Sequence, residues 1–439
     1  MRVLMLPEFY PPVIGGLELH AQRLSVALRD RGHDVSVCTL AGPDGPGART
    51  DEHGLTVRSI DGWRRHLGRF YEKPELAFHP TAPDPGVIAS LRQVLAEVRP
   101  DVVHAHGWIL HSALSAVPGS GARLVATLHD FGLVCPRRNL LHQGVELCDG
   151  PSLGRCLTCA PEQYGVVKAT PLVLGHHHAM RRRNGRVDRY LAVSTAVRDA
   201  VLAGGASAGA RVDVVPNFVD IAAVQAGAGA PRPAWVPATG AYVLFVGAVT
   251  GFKGVGELLS VWATRRPDAE LVLVGTRRPD TPTELPPGVR LVDAAPHAEV
   301  VAAMHHAAVA VTPSVGPDAC PTTVLESMAA GAPTIGTRTG GIPDLIVDGE
   351  SGLLVPPGDV AALGDAVDHV LATPALAAHL AAGGRARAER FTAPVVAAQV
   401  EAVYREVVGR SLGPVTAEPA PAPEPVPASE PALASPVSS

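Results

Sequence analysis

The sequence predicts an α/β fold made of two similar units, each a parallel sheet covered on both faces. Three observations predict it. Short apolar runs alternate with segments whose apolar residues recur at helical spacing. The runs read as buried strands joined by crossover helices, the usual source of parallel sheets. The pattern restarts after a Gly/Ala/Pro-rich connector at 226–240.

The first unit opens with the strand VLML and the loop YPPVIGG. LELHAQRLSVALRDRG then follows helical spacing and stops at Gly32. DVSVCTL, DVVHAH, RLVATLHD, RYLAVS and RVDVVPN supply further strands. In the second unit the strands are YVLFVGA, LVLVG, VRLV, VAVTPS, PTIGT and GLLV. Helices are expected at KGVGELLSVWATR, at AEVVAAMHHA and around Glu326. APVVAAQVEAVYREVVGR (393–410) is a final helix. Residues 412–439 carry eight prolines and little to bury, so they read as a disordered tail. Two doubly wound halves imply a cleft, with ligands outside the carboxyl ends of the strands.

Composition fits a soluble globular chain: 46% of residues are apolar and 18% charged. The net charge of −5 gives no reason to expect nucleic acid as a partner. No run reaches the length of a membrane span. MRVLMLPEFYPP reads as a first strand rather than a signal peptide, so a cytoplasmic location is expected. There is no G-x-G-x-x-G between strand and helix and no H-E-x-x-H. There is also no Asp-x-Asp pair of the kind that would hold a divalent ion on a nucleoside diphosphate. A bound phosphate would therefore be neutralised by Lys, Arg and helix starts.

Several groups suit that task. Gly15 and Gly16 precede a helix, where free N–H groups favour an anion; an ordinary turn is the bland alternative. Lys253 follows a strand and would reach a diphosphate in the cleft, unless it is a solvated surface Lys. His129 and Asp130 end the strand LVATLHD, where His can bond a hydroxyl or phosphate, or simply pack. In PDACPTTVLESMAAG, Pro321 suits the first helical position and leaves the N–H groups of Thr322 and Thr323 outward. Glu326, one turn in, suits a diol, and Asp318 before the helix suits another hydroxyl. One phosphate and two sets of hydroxyls describe a sugar nucleotide.

The ordered segments YPPVIGG, RGHDV, DVVHAH, TLHD, LAVS, VVPNFVD, LFVGAV, KG, LVLVG, TPS and PDACPTTVLESMAAGAPTIGTRTGGIPDLIVDGESGLLVPPGD resemble the family-4 glycosyltransferases over about 1–410. The resemblance implies the GT-B fold: two Rossmann-like domains facing each other across a cleft, with the C-terminal helix crossing back to the first. On that scheme residues 1–215 form the acceptor-side domain, 216–392 the donor-side domain and 393–411 the crossover helix. The implied reaction is retaining transfer of a sugar from a nucleotide-diphospho-sugar, a UDP- or GDP-sugar, with no catalytic metal.

Carried over by position, Gly16 lies near the diphosphate, His129 contacts the donor sugar and Lys253 binds the diphosphate. Thr322 and Thr323 hold phosphate through their backbone, Glu326 grips the ribose, and Asp318 stands where the first acid of a paired-Glu motif belongs. Three positions depart from the pattern: Ala248 replaces a frequent Arg, Asp318 is one methylene short, and Cys320-Pro321 replaces Phe-Gly. These departures keep a rival open, a sugar-nucleotide-binding regulatory or scaffold protein without catalysis. A sugar-nucleotide epimerase is a third reading, which the Glu326 block argues against.

Cys135, Cys148, Cys156 and Cys159 have twelve, seven and two residues between them, ending in a C-x-x-C half-site. In a reducing compartment this pattern points to a structural zinc site, with free thiols as the alternative. The basic stretch GHHHAMRRRNGR (175–186) is expected to be a solvated helix face, or else a peripheral contact with an anionic membrane or acceptor. The acceptor itself, a glycan, a lipid or a natural product, is left open.

Overall fold

The computed structural model describes the chain apart from residues 14, 43–44, 64–77, 145, 183–185, 206–208, 210, 266–267 and 410–439. The tail expected at 412–439 lies outside the described residues, as do 183–185 of the basic stretch.

The first lobe is built on strands β1 (Arg2–Pro7), β2 (Asp34–Leu40), β3 (Gly47–Thr50), β4 (Thr56–Ile60), β5 (Val102–His106) and β6 (Arg123–Leu128). A small hairpin, β7 (Leu141–His142) and β8 (Glu146–Leu147), stands apart. Strands β9 (Arg189–Ala192) and β10 (Val212–Val214) complete the main sheet. Its order is β10-β9-β6-β5-β1-β2-β4-β3, and every pairing is parallel except β3 with β4.

The second lobe has β11 (Tyr242–Val246), β12 (Glu270–Val274), β13 (Val289–Val292), β14 (Val309–Thr312), β15 (Thr334–Thr337) and β16 (Leu353–Val355). These form an all-parallel sheet in the order β13-β12-β11-β14-β15-β16. Strand order reverses between β1 and β5 in one sheet and between β11 and β14 in the other. Crevices outside the carboxyl ends of such switch points are where open α/β sheets bind ligands. Glu8 and His106 stand at the first, and the segments after Val246 and Thr312 lead out of the second.

The central strands are buried because most of their residues are apolar, whereas the edge strand β3 (GART) is exposed; β5 is wholly buried even though it carries His104 and His106. The last helix, Ala393–Gly409, returns to the first lobe. Val396, Val400, Val403, Tyr404 and Val407 repeat at three- and four-residue spacing and bury one face against Val3, Met5, Leu24 and Leu28. Each fully buried Val or Leu contributes roughly 1.5–3 kcal/mol of transfer free energy, so this stripe is what holds the helix there. Its one buried charge, Glu401, is met by Arg31 (Nε, 2.8 Å) and Arg405 (2.6 Å).

The lobes also touch directly. Thr195, at the start of helix Thr195–Ala203, donates its N–H (2.6 Å) and hydroxyl (2.7 Å) to the carboxylate of Asp344. Gly341 lies so close to Ser194 and to the Ala319 carbonyl that a Cβ there would collide with both.

Candidate active site

On the second lobe, β11 ends at Val246 and a short 3-10 turn, Gly251–Lys253, presents Lys253. Thr250 caps that turn by accepting from the Lys253 N–H at 3.3 Å. Gly254 follows with φ +77° and lies flat against the Pro313 carbonyl, which explains why no side chain stands there. The Lys253 ammonium forms an ion pair with Asp318. The sequence predicts separate ligands for the two; instead each faces the other, so any anion approaching Lys253 competes with a carboxylate. Ser314 Oγ also donates to Asp318 (3.3 Å), and the Asp318 carbonyl accepts from the Gly341 N–H at 2.7 Å. Gly340, at φ +57°, passes directly behind Asp318 where a Cβ would strike its backbone. The two glycines of TGGIPD thus set the Asp318 loop.

Helix Thr322–Ala330 begins one residue later than the sequence suggested: Pro321 is its extended N-cap (φ −71°, ψ 114°), not its first helical residue. No side chain caps this start, so the Thr322 and Thr323 end keeps its N–H groups for a ligand. Glu326, one turn in, is largely buried and accepts from His297 Nε2 at 3.0 Å. That bond raises the His297 pKa, with burial opposing it. Sequence reasoning missed His297, which comes from the start of helix His297–His306 and is brought alongside only by tertiary packing.

On the first lobe, His129 follows β6. Its ring nitrogen Nε2 lies 2.9 Å from His106 Nδ1, one donating and the other accepting, and its ring meets that of His20 at 4.7 Å between centroids. His104, on the same strand as His106, bonds Tyr404 (2.6 Å) and Thr127 (2.7 Å). Burial drives all four imidazoles toward the neutral form. His129 is lowered to about 4, with Asp130 and Asn217 opposing; His104 is lowered to about 3; His20 and His106 fall well below the usual value.

Among the described residues, His20, His106 and His129 are the ligand-type group whose donor atoms all lie within 4.8 Å of one another. His106 spends one nitrogen on His129 and the other on Met5 Sδ (2.9 Å), so both of its ligand atoms are already engaged. Two histidines at period two inside DVVHAH were the sequence signal that was overlooked.

Asp130 pairs with Arg138 (2.6 Å), which also faces Glu8. Glu8 is buried, accepts from the His79 N–H (3.1 Å) and is pushed up to about 7, chiefly by burial. Asn217, beside His129, donates to the Cys320 carbonyl at 3.0 Å and so ties the histidine wall to the Asp318 loop.

The Gly15–Gly16 corner differs from expectation. Gly15 is the extended N-cap of helix Gly16–Asp30 with no side-chain cap, and Gly16 has open space where a Cβ would stand. The Glu18 carboxylate, however, curls back onto Gly15 and its own N–H. The anion at this helix start is therefore an internal one. The basic stretch is likewise not one solvated face: His176 and Ala179 of helix Val166–Arg182 are buried, and His176 Nε2 bonds the Gly132 carbonyl at 3.0 Å.

Two facing Rossmann-like lobes, closed by a helix that returns to the first, with side chains meeting from both sides of the cleft, define the GT-B class. The family model described as Glycosyltransferase Family 4 matches residues 14–223, and Glycosyl transferases group 1 matches 240–373. The D-inositol 3-phosphate glycosyltransferase of Acidothermus cellulolyticus is 30% identical, over 90% of this chain and 86% of its own. Glycogen synthase of Mycobacterium tuberculosis is 28% identical, over 88% and 90%. The solved structure of Anabaena HepE in complex with UDP superposes with a TM-score of 0.67 at 20% identity, covering 92% of this chain and all of that one. The chain belongs to the family-4 glycosyltransferases, and its chemistry is sugar transfer.

Proposed function

We propose that this enzyme transfers a sugar, with retention of anomeric configuration, from a UDP- or GDP-sugar to an acceptor hydroxyl, and that catalysis uses no divalent ion. One observation carries the reading: an uncapped helix start at Thr322 and Thr323 stands between Lys253–Asp318 on one side and Glu326 one turn deeper.

Breaking the anomeric bond leaves negative charge on the departing diphosphate. The amide dipoles at 322–323 and the Lys253 ammonium are fixed in advance to receive it, and one such donor is worth about 3 kcal/mol in other enzymes. Glu326 takes the ribose diol and exchanges its His297 partner for it. Asp318 takes a sugar hydroxyl and leaves Lys253 to the phosphate. Neutral His129 offers the donor sugar a hydrogen bond without repelling the oxocarbenium-like centre. The acceptor hydroxyl attacks on the face the phosphate leaves, so no protein nucleophile is invoked. The absence of an Asp-x-Asp pair in the sequence supports metal independence.

The HepE complex with UDP supports a nucleotide donor by likeness of fold. Thermal-shift screening against UDP-, GDP-, ADP- and TDP-sugars, then radiolabelled transfer with and without EDTA and NMR of the product anomer, tests the reading. An inverted product, or loss of transfer in EDTA that added Mg²⁺ restores, would contradict it. Ala248 and the Lys253–Asp318 pair favour a second reading, a binding protein without turnover. Tight nucleotide-sugar binding with neither transfer nor hydrolysis across many acceptors would support that one instead.

A further inference from the structure

Sugar transfer makes no use of Cys135, Cys148, Cys156 and Cys159, yet the fold gathers them. They arrive from three places: the turn after the 3-10 helix Phe131–Leu133, the end of β8, and helix Leu153–Tyr164, which carries the last two one turn apart. All four line one pocket and all are free thiols.

Hydrogen-bond donors converge on their sulfurs. The amides of Arg137, Arg138, Asn139 and Leu140 face Cys135. Cys159 receives the Gln143 N–H at 3.1 Å and Arg137 Nη1 at 3.4 Å. The Arg155 guanidinium faces Cys148, and the Ser152 backbone faces Cys156. Two carbonyls are also near, those of Gly150 (3.4 Å from Cys148) and Leu141 (3.6 Å from Cys159). Burial holds Cys135 and Cys156 toward the thiol, and these donors oppose it. His142 lines the same pocket with its Nδ1 buried and unpartnered.

We infer that Cys135, Cys148, Cys156 and Cys159 bind one zinc ion as thiolates and that the ion pins the 135–159 loop against the active-site wall. Binding releases the thiol protons to solvent. Four thiolates around Zn²⁺ leave two excess negative charges, and Arg137 and Arg155 stand beside the sulfurs to offset them. The sulfurs are not among the groups whose donor atoms all lie within 4.8 Å of one another. Bonds of about 2.3 Å to a common ion would draw them inward. Zinc suits the setting better than an iron–sulfur cluster, because sugar transfer moves no electrons.

The consequence for the enzyme lies in Arg138, three residues beyond Cys135. Arg138 adopts a left-handed backbone (φ +67°) and pairs with Asp130, the neighbour of His129. A closed zinc loop holds that guanidinium in place.

The test is elemental analysis of the full chain purified without added zinc, with thiol titration before and after a strong chelator. The expected result is about one zinc per chain, with four further reactive thiols and a lower Tm after stripping. Cys159→Ser loses the metal and His142→Ala keeps it. Should Cys159→Ser fail to fold, Co²⁺ substitution of the wild type replaces it, with tetrahedral thiolate–cobalt bands expected. Metal-free protein with four reactive thiols and a Tm indifferent to chelator overturns the inference. So does iron with acid-labile sulfide, or zinc retained in folded Cys159→Ser.

Discussion

The two walls of the cleft differ in how their polar groups are kept. On the first lobe His20, His104, His106 and His129 are buried beside one another and held neutral. His104, His106 and His129 hydrogen-bond one another or Tyr404, Thr127 and Met5, while His20 packs its ring against His129 and Phe218. On the second lobe the groups form ion pairs instead, Lys253 with Asp318 and Glu326 with His297. A neutral wall can be buried without a ligand and offers hydrogen bonds that repel nothing. A paired wall is also held together by its own ion pairs, and on the proposed function a donor would exchange partners there, phosphate for Asp318 and diol for His297. Substitutions on the paired wall should therefore act mainly on nucleotide binding and leaving-group stabilisation, and those on the neutral wall on the sugar.

The largest expected effect is at Lys253. Lys253→Ala should lower kcat/KM by about 10²–10³-fold, the cost of one preorganised donor to a developing anion. Asp318→Asn should separate the two functions: it frees Lys253, so nucleoside diphosphate binds at least as tightly by calorimetry, while transfer falls. Equal losses in both would break the idea that these two residues exchange partners.

Glu326→Ala comes next. Losing charge-assisted bonds to the ribose, worth about 1.5–3 kcal/mol, should weaken nucleotide binding roughly 10- to 100-fold. A deoxyribose analogue should bind the variant and its parent nearly alike, which sharpens the assignment to the diol.

His129→Ala should lower kcat by about tenfold, the worth of one hydrogen bond, and leave nucleotide affinity within about twofold. Because His129 titrates near 4, the wild-type rate should show no inflection from this group between pH 5 and 8.

The smallest effect is on stability against pH. The folded-state pKa values of the buried histidines lie below the unfolded value of 6.5. Their contribution is complete above that value and erodes as pH falls toward about 4, where His129 titrates. Glu8 acts oppositely, its stabilising neutral form being lost as pH rises from 4.5 toward about 7. Thermal denaturation at pH 5 and 6.5 should give the lower Tm at pH 5, and the gap should narrow in His104→Gln.

Much of the architecture was readable from the chain, because buried parallel strands leave apolar runs such as VLFV and LVLV, with helical spacing between them. The uncapped helix at Thr322 and the placement of Lys253 after a strand were readable for the same local reasons. What escaped was tertiary. Glu18 folds back on Gly15, Asp318 reaches Lys253, and His297 reaches Glu326, each depending on distances between elements that spacing does not encode. Asp344, which ties the lobes through Thr195, lay unremarked in IPDL because its partner is in the other lobe. The histidines of DVVHAH looked like interruptions in a strand until Tyr404 and His129 arrived beside them.

The most direct test is a crystal structure of the full chain with the nucleoside diphosphate giving the largest thermal shift. The diphosphate should lie within hydrogen-bond reach of Lys253 Nζ and the Thr322 and Thr323 amides, with the ribose hydroxyls on Glu326. A nucleotide seated elsewhere, or with its ribose turned from Glu326, would contradict the account.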